Sequence, residues 1–149
     1  MSLLFRLLLL TSLAGASSAR AETPEQWVEL LTRVHGGFGS FLPVGIRIGE
    51  DALHRLNAKP RELSVVFYQG EGLPCPCSAD GVMLAVGASP GQGTLQVAAE
   101  KSPPDGLRYT APISFMPKLG QINSTMQYPL DRYNAVMALP ALFTVEPLK

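Results

Sequence analysis

The chain has 149 residues, of which 46% are hydrophobic and 16% charged, and it carries as many Lys and Arg as Asp and Glu. This composition is that of a folded protein rather than a disordered one, and the length suits one domain rather than two. No basic run with interleaved aromatic residues occurs, so the electrostatic pattern that nucleic-acid binding requires is absent from the sequence.

Residues 1–21 have the features of a secretory signal peptide. Arg6 precedes an apolar run much shorter than the ~20 residues that span a bilayer, and Ala19-Arg20-Ala21 fits a cleavage site. We therefore expect a secreted or periplasmic protein whose mature domain is residues 22–149, with no membrane span after cleavage. A retained membrane anchor is the alternative.

A first helix is predicted to begin after Thr23 and to end at His35. Thr23 suits the N-cap, Pro24 the first helical position and Gln26 the reciprocal hydrogen bond of a capping box. An apolar stripe follows at helical spacing. The glycine pair after His35 ends the helix, because glycine readily adopts left-handed backbone angles. His35 is thereby placed at a helix C-terminus.

Three elements are predicted in the next part of the chain. Apolar residues recur with a period of 3.6 from Val44 to Leu56, which predicts a second helix, and its small residues on one face favour close packing, usually on a sheet. Residues 63–68 are β-branched and aromatic, which is typical of a central strand covered on both faces. A loop rich in glycine and proline then leads to a short helix over residues 79–86, which Ser78 can cap.

Two further strands are predicted at residues 94–99 and 107–113. The turn-forming sequence between them, residues 102–106, favours an antiparallel hairpin. Pro112 limits the second of these strands to a sheet edge or to one end of the pairing, because proline has no backbone N–H.

The remaining sequence is less regular. Residues 114–129 contain prolines and a glycine and are predicted to be a loop, residues 130–139 a short helix, and residues 142–145 a closing strand. Helices and strands in this order predict a single-domain α+β fold, in which a mixed or antiparallel sheet is covered by helices.

His35, Cys75 and Cys77 are the candidate metal ligands. A neutral imidazole supplies a nitrogen lone pair near physiological pH, and thiolates are soft donors suited to zinc, copper, another transition metal or haem iron. Three such ligands would leave a coordination position open, which suits catalysis or ligand transfer. The cysteines could instead form a disulfide around Pro76 or be inert, and His35 could simply interact with the helix dipole.

Asp80 and Cys77 are the candidate catalytic residues. Asp80 could act as a base or orient a metal-binding side chain. Because it lies near the start of a short helix, it could equally stabilise that helix by interacting with the positive end of the helix dipole. In an enzyme, His35 and Asp80 would be the acid and base, and Cys77 the nucleophile.

Two segments together resemble the FmdE-like family, which takes its name from formylmethanofuran dehydrogenase. Residues 35–49, HGGFGSFLPVGIRIG, look like the family's His-Gly-His segment followed by Gly-x-Arg-x-Gly. Residues 77–83, CSADGVM, are similar to its Cys-x-x-Asp-(Ala/Gly)-(Ile/Val)-Gln helix, which a glycine-rich turn follows. Order and spacing agree, and the resemblance covers about residues 35–115.

The resemblance implies a fold similar to FmdE and to the catalytic domain of glyceraldehyde-phosphate dehydrogenase, often as a homodimer. It also implies a site for a divalent metal or small ligand, built from the His-Gly-His segment and the cysteines. Candidate cofactor-binding residues are then the glycines of the two segments: Gly36, Gly37, Gly87, Gly91 and Gly93. The chain departs from the family in having Gly37 for the second histidine, Ala88 for the cysteine of the turn and Gln92 for its lysine.

The leading functional hypothesis is a secreted FmdE-like protein that binds a metal ion or a small metal-bearing cofactor. One alternative is a small enzyme acting on an organic or pterin-linked one-carbon substrate. The other is an interaction scaffold whose ancestral site has decayed.

Overall fold

The computed structural model describes residues 22–68, 75–98 and 106–148. Within these ranges, five α-helices and four short strands form a small α+β domain, which confirms the predicted fold class. The predicted signal peptide lies outside the described residues, as do most of the loop after the first strand and most of the predicted hairpin turn.

Helix α1 begins and ends for identifiable reasons. Helix α1 spans Pro24–His35, and Thr23 caps it in the predicted capping box: the Thr23 N–H donates to Gln26 Oε1 at 2.8 Å, and the Gln26 N–H donates to Thr23 Oγ1 at 3.3 Å. Gly36, with φ of 84°, ends α1 in the left-handed conformation. Helix α2 spans Leu42–Arg55 and starts six residues further on, so a short glycine-containing segment joins the two.

Helix α3 spans Cys77–Val86 and packs directly on α2. Gly45 of α2 and Gly81 of α3 face each other. A Cβ added to Gly45 would lie 2.8 Å from the Gly81 Cα, and one added to Gly81 would lie 2.9 Å from the Gly45 Cα. Only glycine permits backbones to approach this closely. The small residues of the second helix therefore serve close packing as predicted, but against a helix instead of a sheet.

The first two strands are parallel. Strand β1, Val65–Tyr68, pairs with β2, Leu95–Ala98, from Val65 opposite Leu95 to Tyr68 opposite Ala98. Parallel strands require a crossover, and α3 supplies it. The predicted central position of the first strand is wrong: among the described residues β1 has one partner, and its side chains are only half-buried.

The other two strands are antiparallel. Strand β3, Gly106–Thr110, pairs with β4, Thr144–Leu148. The predicted hairpin between the second and third strands is therefore wrong. That prediction relied on nearness along the chain, whereas the structure pairs each of these strands with a strand that lies beyond a helix.

Two helices complete the fold. Helix α4 spans Met116–Thr125, so the loop predicted over residues 114–129 is wrong. Its proline, Pro117, lies in the first turn, where a missing N–H leaves no helical bond unmade. Helix α5 spans Pro129–Met137 and confirms the predicted short helix near the end of the chain.

Three clusters of buried apolar side chains hold these elements together. The first cluster joins α1, α2, α3 and α5, and contains Trp27, Leu31, Phe38, Leu42, Ile46, Ala85 and Tyr133. The second joins α2, α4 and α5, and contains Val44, Leu119, Ile122, Val136 and Leu142. The third packs α3 against β2, through Val82, Val86, Ala88 and Leu95. In the three described ranges, every helix is too short or too polar to cross a bilayer.

Candidate functional site

A cleft of about 460 Å³ opens where the end of α1 meets the start of α3. It is lined by the segment between α1 and α2, by both cysteines and by one residue of α4: His35, Gly36, Gly37, Phe38, Gly39, Phe41, Leu42, Cys75, Cys77 and Asn123. The three residues predicted as metal ligands therefore line a single cleft.

His35 and Asp80 form a hydrogen-bonded pair at this cleft. His35 Nδ1 lies 2.7 Å from Asp80 Oδ2, and the two side chains are 30% and 33% exposed. Each lies at the helix end whose dipole favours its charge: His35 is the last residue of α1, and Asp80 is in the first turn of α3. When the ring is neutral and Nδ1 donates its proton to the carboxylate, Nε2 carries the lone pair. The imidazole is thus oriented to bind a metal ion or accept a proton.

Cys75 and Cys77 are joined in a disulfide across Pro76, with their Cα atoms 5.2 Å apart. Of the states that the sequence left open, this is the one that the structure contains. The sulfur atoms of a disulfide carry no thiolate charge, so metal ligation by Cys75 or nucleophilic attack by Cys77 requires reduction first. Within the described part of the chain, no three His, Cys, Asp or Glu side chains are grouped so that they could hold a metal ion.

Helices α4 and α5 fix the glycine-containing wall of the cleft. Arg132 of α5 donates from Nη1 to the Phe38 carbonyl oxygen at 2.6 Å. Ser40 is fully buried, and its Oγ donates to the Leu119 carbonyl oxygen at 2.8 Å while its N–H donates to Asn123 Oδ1 at 3.1 Å. This wall is therefore held in place by residues more than 75 positions away along the chain.

Asn123 is the polar cleft residue that the sequence reasoning missed, because its segment was predicted to be a loop. A signal was present nonetheless. Leu119 and Ile122 are both buried and lie three residues apart, the spacing of one helix face. That face places Asn123 one residue beyond a buried position, next to the chain turn at Ser40.

The glycines proposed to bind a cofactor divide into two groups. Gly36 and Gly37 line the cleft. Gly87 caps the C-terminus of α3, which its ten residues place about 15 Å from Cys77. Gly91 and Gly93 belong to the 3-10 turn beyond it, and none of these last three is among the described residues that line the cleft.

Comparison with known proteins supports the resemblance seen in the sequence. Residues 34–103 match the family model described as FmdE, Molybdenum formylmethanofuran dehydrogenase operon. The matched segment begins one residue before His35 and includes both cysteines and Asp80. No curated protein sequence matches the chain.

Proposed function

We propose that this chain, an FmdE-like protein, binds a metal ion or a small metal-bearing cofactor in the cleft between α1 and α3. The observation that carries the proposal is the 2.7 Å bond between His35 Nδ1 and Asp80 Oδ2, beside two sulfur atoms. A carboxylate on one ring nitrogen fixes the orientation and tautomer of a metal-binding histidine. The features of residues 1–21 support action outside the cytoplasm.

The donor set depends on the state of the cysteines. In the dithiol form, His35 Nε2 and the sulfurs of Cys75 and Cys77 offer one imidazole and two thiolates from a single cleft. Such a set suits Zn²⁺ or Cu⁺, and three protein ligands leave a position for a small ligand. In the disulfide form the imidazole remains as the main donor, so reduced protein should bind soft metals far more tightly than oxidised protein.

The proposal is tested by titrating reduced and oxidised protein with Zn²⁺ and Cu⁺ against a chromogenic chelator. Reduced protein should bind one equivalent. His35→Gln should abolish binding at that affinity, and Asp80→Asn should weaken it by about 10-fold to 100-fold, the usual effect of removing a carboxylate behind a histidine ligand.

His54→Gln is the matched control, because His54 is exposed in the last turn of α2 and does not line the cleft. It should leave affinity unchanged. If reduced protein binds neither metal, or if the His35→Gln and His54→Gln variants bind equally well, the proposal is wrong.

A further inference from the structure

The disulfide between Cys75 and Cys77 contributes little as a structural link. A disulfide stabilises a fold mainly by closing a long loop in the unfolded chain, and the benefit falls as the loop shortens. Here Pro76 alone lies between the two cysteines. The buried residues of the three apolar clusters already join the helices of the domain, and Cys77 only packs against the edge of the first cluster. The role of the disulfide is therefore chemical rather than structural.

The position of the disulfide makes it accessible. Both cysteines are only partly buried, and both line the open cleft beside Gly36 and Gly37. A small thiol can therefore reach the bridge from solvent. Accessible disulfides in short rings are the kind that exchange with thiols, whereas structural bridges are commonly enclosed.

The two sulfur atoms have different surroundings. Cys77 is the first residue of α3, and this helix has no side-chain hydrogen bond at its N-cap, Pro76. Backbone N–H groups at an uncapped helix N-terminus stabilise a thiolate. Cys75 lies outside the helix. His35 lines the same cleft, and its pairing with Asp80 partly offsets the carboxylate charge in the first turn of α3. Cys77 is therefore the better leaving group of the pair.

We propose that Cys75–Cys77 is a redox-active disulfide that oxidises the dithiol of a cysteine-containing peptide. A substrate thiolate attacks the Cys75 sulfur, the Cys75–Cys77 bond breaks, and its electron pair leaves on the Cys77 sulfur as a thiolate at the start of α3. The second substrate thiolate attacks the substrate sulfur of the mixed disulfide and releases Cys75, which takes a proton from solvent. Two electrons pass to the cysteine pair, and the peptide gains a disulfide.

This activity goes beyond metal binding and does not depend on it, so the exchange is measured with a chelator present. Oxidised full-length protein is mixed with a reduced model peptide containing two cysteines, quenched with acid and alkylated, and both partners are weighed by mass spectrometry. One peptide disulfide should form for each protein molecule, and the protein should gain two alkylated cysteines. The pair should also be reduced by millimolar glutathione.

Single-cysteine variants test the unequal roles of the sulfurs. Cys77 in the Cys75→Ser variant should react with iodoacetamide at neutral pH at least tenfold faster than Cys75 in the Cys77→Ser variant. Metal binding is measured on reduced protein and peptide oxidation on oxidised protein with a chelator present, so the two proposals can fail separately. If wild-type protein oxidises no peptide and its bridge survives millimolar glutathione, the disulfide is structural and the proposal is overturned.

Discussion

Replacing Gly45 by alanine should push α2 and α3 apart. The new Cβ would lie 2.7 Å from the Val82 backbone nitrogen and 2.8 Å from the Gly81 Cα, and it would also clash with the Ser78 carbonyl oxygen. All three are backbone atoms, so no change of side-chain rotamer relieves the overlap. Because carbon atoms pack at about 3.5–4.0 Å, the two helices must separate by roughly 1 Å.

The size of the effect follows from two opposing terms. Inserting a methyl group into a packed interface costs about 1–3 kcal/mol, and contact with rigid backbone places this case near the upper end. Alanine recovers about 1 kcal/mol through its higher helix propensity. The expected net loss is about 2 kcal/mol in the free energy of unfolding, or a fall of roughly 6 °C in Tm for a domain of this size. Since α3 carries Asp80, its bond to His35 should also lengthen.

Urea unfolding monitored by Trp27 fluorescence measures this loss, because Trp27 is the chain's single tryptophan and is 5% exposed. Gly120→Ala in α4 is the matched control. Apart from the adjoining residues and backbone of α4 itself, no described atom lies within 4 Å of a Cβ at Gly120, so this change should stabilise the protein by about 0.5–1 kcal/mol. If Gly45→Ala is as stable as Gly120→Ala, the inferred backbone contact between α2 and α3 is wrong.

Three further predictions concern side chains. Arg47→Ala should lower the free energy of unfolding by about 1.5–3 kcal/mol. The Arg47 guanidinium donates to two carbonyl oxygens at the end of α5, and its bond to the Leu139 oxygen is 2.5 Å long. In urea unfolding, Arg47→Lys should recover only part of the lost stability. Burial, and then the charge of Glu50, raise the pKa of Tyr133 to about 12. The pKa of tyrosine in the unfolded chain is about 10, so the stability that depends on an uncharged Tyr133 is complete below pH 10 and is lost as the pH rises to 12. Tyr133→Phe should therefore reduce the pH dependence of the free energy of unfolding by up to about 1.4 kcal/mol per pH unit. An unchanged slope would contradict the assignment. Asp80→Asn should change the free energy of unfolding by less than about 1 kcal/mol, because its bond to His35 joins two side chains that are about one-third exposed, and a larger loss would indicate a structural role.

Local sequence signals predicted a helix end well where neighbouring residues alone determine that end. The capping box at Thr23 is an interaction within four residues, so it could be recognised before the fold was known. Helix α4 was missed because Pro117 and Gly120 are usually helix breakers. Pro117 lies in the first turn, and Gly120 is exposed, so neither prevents the helix there.

Strand pairing and the arrangement of the site residues depend on packing between segments that are far apart in the sequence. The parallel pairing of β1 and β2 depends on the crossover through α3, which packs on α2 through Gly45 and Gly81, and a strand pattern does not encode this packing. His35 and Asp80 are both recognisable as candidates in the sequence, but they lie 45 positions apart. Their bond exists because α1 ends where α3 begins, and only the folded chain brings those helix ends together.

The three apolar clusters have a consequence for any attempt to isolate the family-matched segment. A fragment limited to residues 34–103 would keep Leu42 and Ile46 but lose Trp27 and Tyr133, against which they pack. It would also lose Arg132, which holds the Phe38 carbonyl at the cleft. Such a fragment would expose a continuous apolar face and tend to aggregate. We therefore expect that the family-matched segment does not fold by itself, because α1, α4 and α5 pack on it.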